Sequence, residues 1–329
     1  MKFLYIILLI LFTLINCDAQ IPVGYYDSAI GKEGKSLRQA LHDIIKNHTI
    51  IPYTSTAFDA TDAIKVLDQD LIETNKVTLI YSGFTDYKTN FGNPGVEKEH
   101  MWPNSYGIDS IQPSYSDLFN LRAIDSNVNS SRGNKYYDIS DTNNANYRFP
   151  AHIEAPLCST DIDSWQPRVV ERGDIARAVF YMDVRYEGDH VNEPNLTLTD
   201  KTNLVNSSTN LMGKLSTLLK WNEEDVVASV EQIRNDKIYN LYQHNRNPFV
   251  DHPEWVNLVF RPTIHIKLLT NSVKVYWGNE WTNSILETSV NVIGTWSTYS
   301  GTITNNGTNF ETIVSITNPY SFFRLKDFP

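Results

Sequence analysis

Near residue 265 the hydrophobic pattern of this chain changes its period, and no single regular architecture suits both sides of that point. Before it, apolar residues recur at helical spacing in several stretches. Leu37, Leu41, Ile44 and Ile45 do so in 36–46, and Ile175, Val179 and Met182, joined by Ala176 and Phe180, do so in 171–186. Val226, Val230, Ile233 and Leu241 repeat the pattern in 223–244. Such spacing buries one stripe of a helix, and Ser36 is placed to cap the first of them. The segment 76–84, KVTLIYSGF, is rich in Val, Ile and Tyr and reads as a strand. A Gly-Asn-Pro turn follows at 92–94. Beyond 265, short Val, Ile, Thr and aromatic runs are punctuated by Gly, Asn and Pro, the signature of five or six short strands. The expected organisation is α+β: a domain over 20–265, then a small all-β module over 266–329, with the junction inside 265–272.

Residues 1–19 are expected to be a secretory signal peptide. Lys2 precedes an almost wholly apolar run at 3–15, and a small residue, Ala19, marks the cleavage point. Lipidation of Cys17 is the lesser alternative, since Asn16 before it fits a lipoprotein signal poorly. No other stretch is apolar enough to cross a bilayer. Removal of the leader leaves Cys158 as the sole cysteine, so stability must come from core burial and bound metal rather than a disulfide. A net charge of −10 argues against bulk attraction to nucleic acid or anionic membranes. It leaves room for a local basic strip, for which Arg132, Lys135, Arg168, Arg172 and Arg246 are the candidates. A monomer is expected.

The stretch GVEKEHMWPNSYG, 95–107, sets Glu99 beside His100 and follows them with Met101, Trp102 and Pro103. Phosphodiester hydrolysis needs a base for the attacking water, charge stabilisation on the phosphate and neutralisation of the leaving oxygen. A neutral histidine suits the first role. A hard divalent cation held by oxygen ligands suits the others. Glu99 supplies one such oxygen and a nearby asparagine amide another. The segment 113–137 reads as a helix opening near Pro113 and ending at Gly133, with Leu118, Leu121 and Ile124 toward the core. On it Asp117, Asn120 and Asn127 fall close to one face. A regular strand would point Glu99 and His100 to opposite faces, so their joint use predicts an irregular strand end near Pro103. Arg132, in SRGN, is placed to clamp a phosphate oxygen.

Four segments, EKEHMWPNSYG, DLFNLRAIDSNVNSSRGNKYY, RGDIARAVFYMDVRY and QHNRNPFVDHPEWV, occur in that order. Together they resemble the secreted or periplasmic bacterial endonuclease I family, a branch of the ββα-metal (His-Me finger) nucleases, over roughly 24–260. The resemblance implies a hairpin crossed by a helix over 117–129 and wrapped by further helices. It implies sequence-non-specific cleavage of DNA, and of RNA, to 5′-phosphate ends with Mg²⁺, Mn²⁺ or Ca²⁺. It makes His100 the general base, Glu99 a metal ligand and Asn120 the second ligand, with Asn127 and Asn129 as rivals for that amide role. Arg132 and Asn134 become supports of the site. Two other readings stay open: a ribonuclease with little DNA activity, and a surface-binding protein carrying a decayed nuclease.

The remaining motifs have plainer expectations. Arg172-Gly173-Asp174 spells an integrin-type tripeptide but opens a helix, where Asp174 favours the N-terminal dipole. His244 and His252 flank NRNPFVD without metal-motif spacing, and the segment reads as a structural loop. His152 and Cys158 have no partner pattern. Trp277, Trp281 and Trp296 are expected in the core of the β module.

Overall fold

The computed structural model describes residues 21–92, 95–316 and 321–326. The expected leader, Cys17 within it, and Asn93 and Pro94 of the expected turn lie outside the described residues. Eight α-helices are described: α1 (Gly34–Ile45), α2 (Ala60–Leu67), α3 (Ser126–Arg132), α4 (Arg172–Arg185), α5 (Leu215–Glu224), α6 (Ser229–Lys237), α7 (Pro248–Asp251) and α8 (Trp255–Phe260). Short strands lie between them. Antiparallel pairs are formed by β1 (Lys76–Thr78) with β2 (Thr85–Tyr87), and by β3 (Val96–His100) with β4 (Leu121–Asp125). β5 (Tyr136–Tyr137), β6 (Ser159–Thr160) and β7 (Ser164–Gln166) make a small mixed sheet with β7 in the middle, and β8 (Thr197–Leu198) pairs in parallel with β9 (Leu211–Met212). The fold is α+β.

Helix α4 is the axis of this arrangement. From Ile175 to Arg185 every side chain is buried, and α1, α5 and α7 pack around it. Phe180 meets Phe249 and Phe260, and Arg177 is held inside by Glu231 at 2.6 and 2.8 Å. Gly173 explains why the Arg-Gly-Asp tripeptide is packed rather than displayed. Its N–H donates to Asp225 at 2.8 Å, and a β-carbon there would lie 2.2 Å from the Asp225 carbonyl oxygen.

Four elements differ from their sequence reading. α1 opens at Gly34, and Ser36 lies inside it, donating its hydroxyl to the Glu33 carbonyl rather than capping. The strand read over 76–84 stops at Thr78, because Tyr81 takes a positive φ of 70° and turns the chain. The continuous helix expected over 113–137 does not exist. Its start, Pro113–Tyr115, is a single 3-10 turn, its middle, Leu121–Asp125, is the strand β4, and only Ser126–Arg132 is α-helical. The run 223–244 is likewise broken: it begins in the last residues of α5, and α6 and a π-helical turn at Ile238–Tyr242 follow.

Beyond Ile264, every regular element among the described residues is a strand. β10 (His265–Leu268), β11 (Ser272–Gly278), β14 (Thr304–Asn305) and β15 (Asn309–Ser315) form a sheet in the order β10-β11-β15-β14. β13 (Ser297–Thr298), β12 (Ile285–Ser289) and β16 (Phe322–Lys326) form a second one. Val275, Trp277, Trp281 and Leu286 make an apolar cluster of their own there. Trp296 is half-buried beneath the Arg324 guanidinium. This region touches the start of α1 through Glu280, which accepts from the Lys35 N–H at 3.1 Å, and through a His265–Glu33 pair.

Candidate active site

β3, β4 and α3 follow one another and build one unit. The β3–β4 ladder sets Glu99 opposite Arg122 and His100 opposite Leu121. Among the described residues the outer edge of β4 has no strand neighbour, yet its polar groups are satisfied. Ala123 N–H donates to Asp68 at 2.8 Å, Ala123 C=O accepts from Ile80 at 2.8 Å, and Arg234 donates to Leu118 and Leu121 carbonyls at 2.9 and 2.7 Å. That closure lets a two-stranded ribbon persist inside the protein. The Asp125 carboxylate caps α3 by accepting from Asn127 and Val128 at 2.8 and 3.1 Å, and Gly133, at φ 58°, ends it. Asn129 and Arg132, three residues apart on α3, come round to β3.

A cavity of about 480 Å³ runs along β3 and is lined by Glu97, Lys98, Glu99, His100, Asn129, Arg132, Asn134, Tyr53 and Tyr115 among others. Sequence reading required an irregular strand end for Glu99 and His100 to act together. The ladder instead runs unbroken through His100, and both residues reach the cavity because it follows the length of the strand.

Glu99 is 2 % exposed, and its Oε1 accepts from the Tyr81 hydroxyl at 2.7 Å and faces Arg132 Nη1 at 3.2 Å. Burial raises its pKa, while Arg132 and the Tyr81 hydrogen bond oppose that rise. His100 donates from Nε2 to the Tyr115 carbonyl at 2.8 Å and stacks on Tyr53 at 5.5 Å. A carbonyl can only accept, so the proton belongs on Nε2 and Nδ1 keeps its lone pair. Burial lowers the ring's pKa to about 4, against the Tyr115 carbonyl that favours the charged form. The imidazole is therefore neutral near pH 7.

The three asparagines considered as ligands separate cleanly. Asn120 is not at the cavity. It is fully buried, and its amide brackets Trp102, accepting from the N–H at 2.6 Å and donating to the carbonyl at 3.1 Å. Asn127 points away and donates to Glu154 at 2.9 Å. Asn129 lines the cavity and donates to Glu97 at 2.7 Å. A donation from Nδ2 leaves the amide oxygen, the atom a hard cation takes. Asp117, placed with them on the expected helix face, is a core carboxylate held by Tyr181, Tyr186, Phe119 N–H and Gln243.

Arg132 is not free to clamp a phosphate. It is 1 % exposed, and its two terminal nitrogens donate to the His100 and Met101 carbonyls at 3.0 and 2.8 Å. It fixes the backbone that carries the Glu-His pair. Nor do the expected cations form one strip. Arg246 is buried between Asp236 and Asp251, Arg168 pairs with Glu171, and Lys135 lines a separate cleft with Arg148. Lys98 is the further cation at the cavity, 4.0 Å over the Tyr53 ring. His244 and His252 do not meet: the first bonds the Tyr239 carbonyl and the second stacks on Trp255.

Sequence reading passed over Tyr81 and the aromatic wall. Tyr81 also shares a 2.6 Å hydrogen bond with the Tyr137 hydroxyl. The one available signal was the Ser-Gly that follows it, a turn cue inside a strand-like run.

Residues 33–254 match the family model for Endonuclease I. The chain belongs to the endonuclease I family. It is accordingly a nuclease, a hydrolase of phosphodiester bonds, in a family that is typically metal-dependent. Two proteins named extracellular ribonuclease, from Bacillus amyloliquefaciens and Bacillus subtilis (strain 168), are 44% and 43% identical to it over 239 residues, 72% of this chain and 78% of each relative. No described helix of this endonuclease I family member is long and apolar enough to cross a membrane.

Proposed function

We propose that this chain is an exported, metal-dependent endonuclease that cuts RNA and DNA without reading sequence, working in the cavity along β3. The observation that carries the reading is the neutral His100, fixed as an Nε2–H tautomer beside the carboxylate of Glu99. The donor set fits a hard cation, since Glu99, Asn129 and the neighbouring Glu97 offer only oxygen. Glu99 and Asn129 would hold it, with Asn129 taking the role first expected of Asn120. When bound, such an ion supplies Lewis-acid stabilisation of charge on the phosphate and on the leaving oxygen. His100 Nδ1 takes the proton of the attacking water as its oxygen bonds to phosphorus. The P–O3′ bond breaks, the leaving O3′ takes a proton from solvent water, and a 5′-phosphate and a 3′-hydroxyl remain. Arg132 and Tyr81 position Glu99, and Lys98 and Asn134 face the phosphate. These groups address the backbone rather than the bases, which is why no sequence preference is expected. The unit β3–β4–α3 is on this reading the ββα-metal core, 266–329 is a separate module outside the chemistry, and the leader 1–19 serves export.

The names of the two relatives favour a second reading, a ribonuclease with little DNA activity. Plasmid DNA and a structured RNA incubated with Mg²⁺, then with chelator, divide the readings. Cleavage of both, stopped by chelator and leaving 5′-phosphates, supports the first, and cleavage of RNA alone supports the second. Turnover that survives chelation, or cyclic-phosphate products, overturns both.

A further inference from the structure

Away from the cavity, His42 on α1 and Asp189 and His190 in the loop after α4 bring two imidazoles and a carboxylate together. Their ligand atoms all lie within 4.8 Å of one another. We propose that they form a transition-metal site of the zinc type, separate from the oxygen-lined cavity and independent of its assignment. His42 is fully buried, and both its ring nitrogens face oxygen acceptors: Nδ1 the Val184 carbonyl at 2.9 Å, and Nε2 the Asp189 Oδ2 at 2.9 Å. A neutral imidazole has one N–H and one lone pair, so it cannot satisfy both. A cation between Nε2 and Asp189 does. The Nδ1–H then donates to Val184, the backbone arrangement that orients a metal-bound histidine. His190 Nε2 lies 3.9 Å from the same Oδ2. Bonds of about 2.0–2.1 Å in a tetrahedron put ligand atoms about 3.3 Å apart, and the two observed separations straddle that value. Two nitrogens and one carboxylate oxygen select zinc over magnesium, and three protein ligands leave a position for water.

The loop is shaped for the approach. Gly188 holds φ 72°, and a β-carbon on it would come within 2.8 Å of the Asn195 side chain. The competing cation is Lys46, whose Nζ lies 3.9 Å from Asp189 Oδ2 but 2.6 Å from Asp43, so its closer partner is elsewhere. A bound ion would fasten the end of α1 to the segment leaving α4.

The test uses the full chain after chelator treatment, reloaded with zinc or with cobalt as a spectroscopic probe. Metal content, the cobalt visible spectrum and the thermal midpoint are compared for wild type, His190→Ala and Glu99→Gln. His190 is half-exposed, so its replacement leaves the core intact. We expect one retained zinc per chain, a tetrahedral cobalt spectrum and a zinc-dependent rise in midpoint. His190→Ala should weaken binding by more than about tenfold, the least that loss of a direct ligand should cost when outer-shell losses cost 10–100-fold. Glu99→Gln should change none of it. No retained metal in wild type would overturn the proposal. So would metal that is lost with Glu99 and kept without His190.

Discussion

His100 carries the most exposed claim at the scale of single residues. His100→Ala should leave the thermal midpoint near wild type and lower single-turnover cleavage at saturating Mg²⁺ by about 10²–10⁴-fold. Near wild-type turnover would remove it from the base role. Two asparagines give a sharper pair. Asn129→Ala should fold normally and weaken the Mg²⁺ dependence of cleavage. Asn120→Ala should instead unbrace both polar groups of the Trp102 backbone and cost roughly 2–3 kcal/mol of stability. Denaturant unfolding beside a metal titration separates them, and the reverse outcome would restore Asn120 as the ligand. The sequence shows the Glu-His pair and a cluster of asparagines, but not which amide faces which cavity. That is decided by where a helix begins, and here it begins at Ser126 because Asp125 caps it.

The turn between β1 and β2 is as much a part of the site as β3. Tyr81 holds a left-handed backbone that costs a bulky residue of order 1–3 kcal/mol, and it returns a hydroxyl to Glu99 and an amide to Glu171. Tyr81→Phe should keep the turn and lower turnover by about tenfold at saturating Mg²⁺, with about 1 kcal/mol lost in stability. Unchanged turnover would reduce Tyr81 to packing. α1, with one apolar stripe, and α4, whose apolar residues recur at helical spacing although the helix is buried all round, were legible in advance. β4 was not, for a definite reason. Leu121, Ala123 and Ile124 are all buried, so the strand shows no alternation, and Leu118, Leu121 and Ile124 mimic helical spacing. The residues that complete its edge, Asp68, Ile80 and Arg234, are distant in sequence, and no local pattern announces them.

For the whole molecule, the change of pattern near 265 coincides with the start of β10, and a separate apolar cluster lies beyond it. The module reading predicts that a chain ending at Pro262, short of β10, folds and cleaves with an unchanged single-turnover rate. Its thermal midpoint should drop modestly, because the contacts of Glu33 and Lys35 with His265 and Glu280 are lost. A folded truncation with a collapsed chemical rate would place the strands within the catalytic unit. A cut after Leu268 is a poorer test, since it would leave β10 without β11.

Cys158 is fully buried, its thiol donates to the Tyr81 carbonyl at 3.3 Å, and burial pushes its pKa up to about 12. The folded protein should resist alkylation at pH 8 and react once denatured, as mass spectrometry will show; rapid labelling of the native form would contradict this burial. The consequence reaches beyond one side chain. With the one cysteine among the described residues free and buried, that part of the nuclease needs no oxidant to mature and has no crosslink for a thiol to undo. Its working range should extend into sulfide-rich, oxygen-poor surroundings that would disable a disulfide-dependent enzyme.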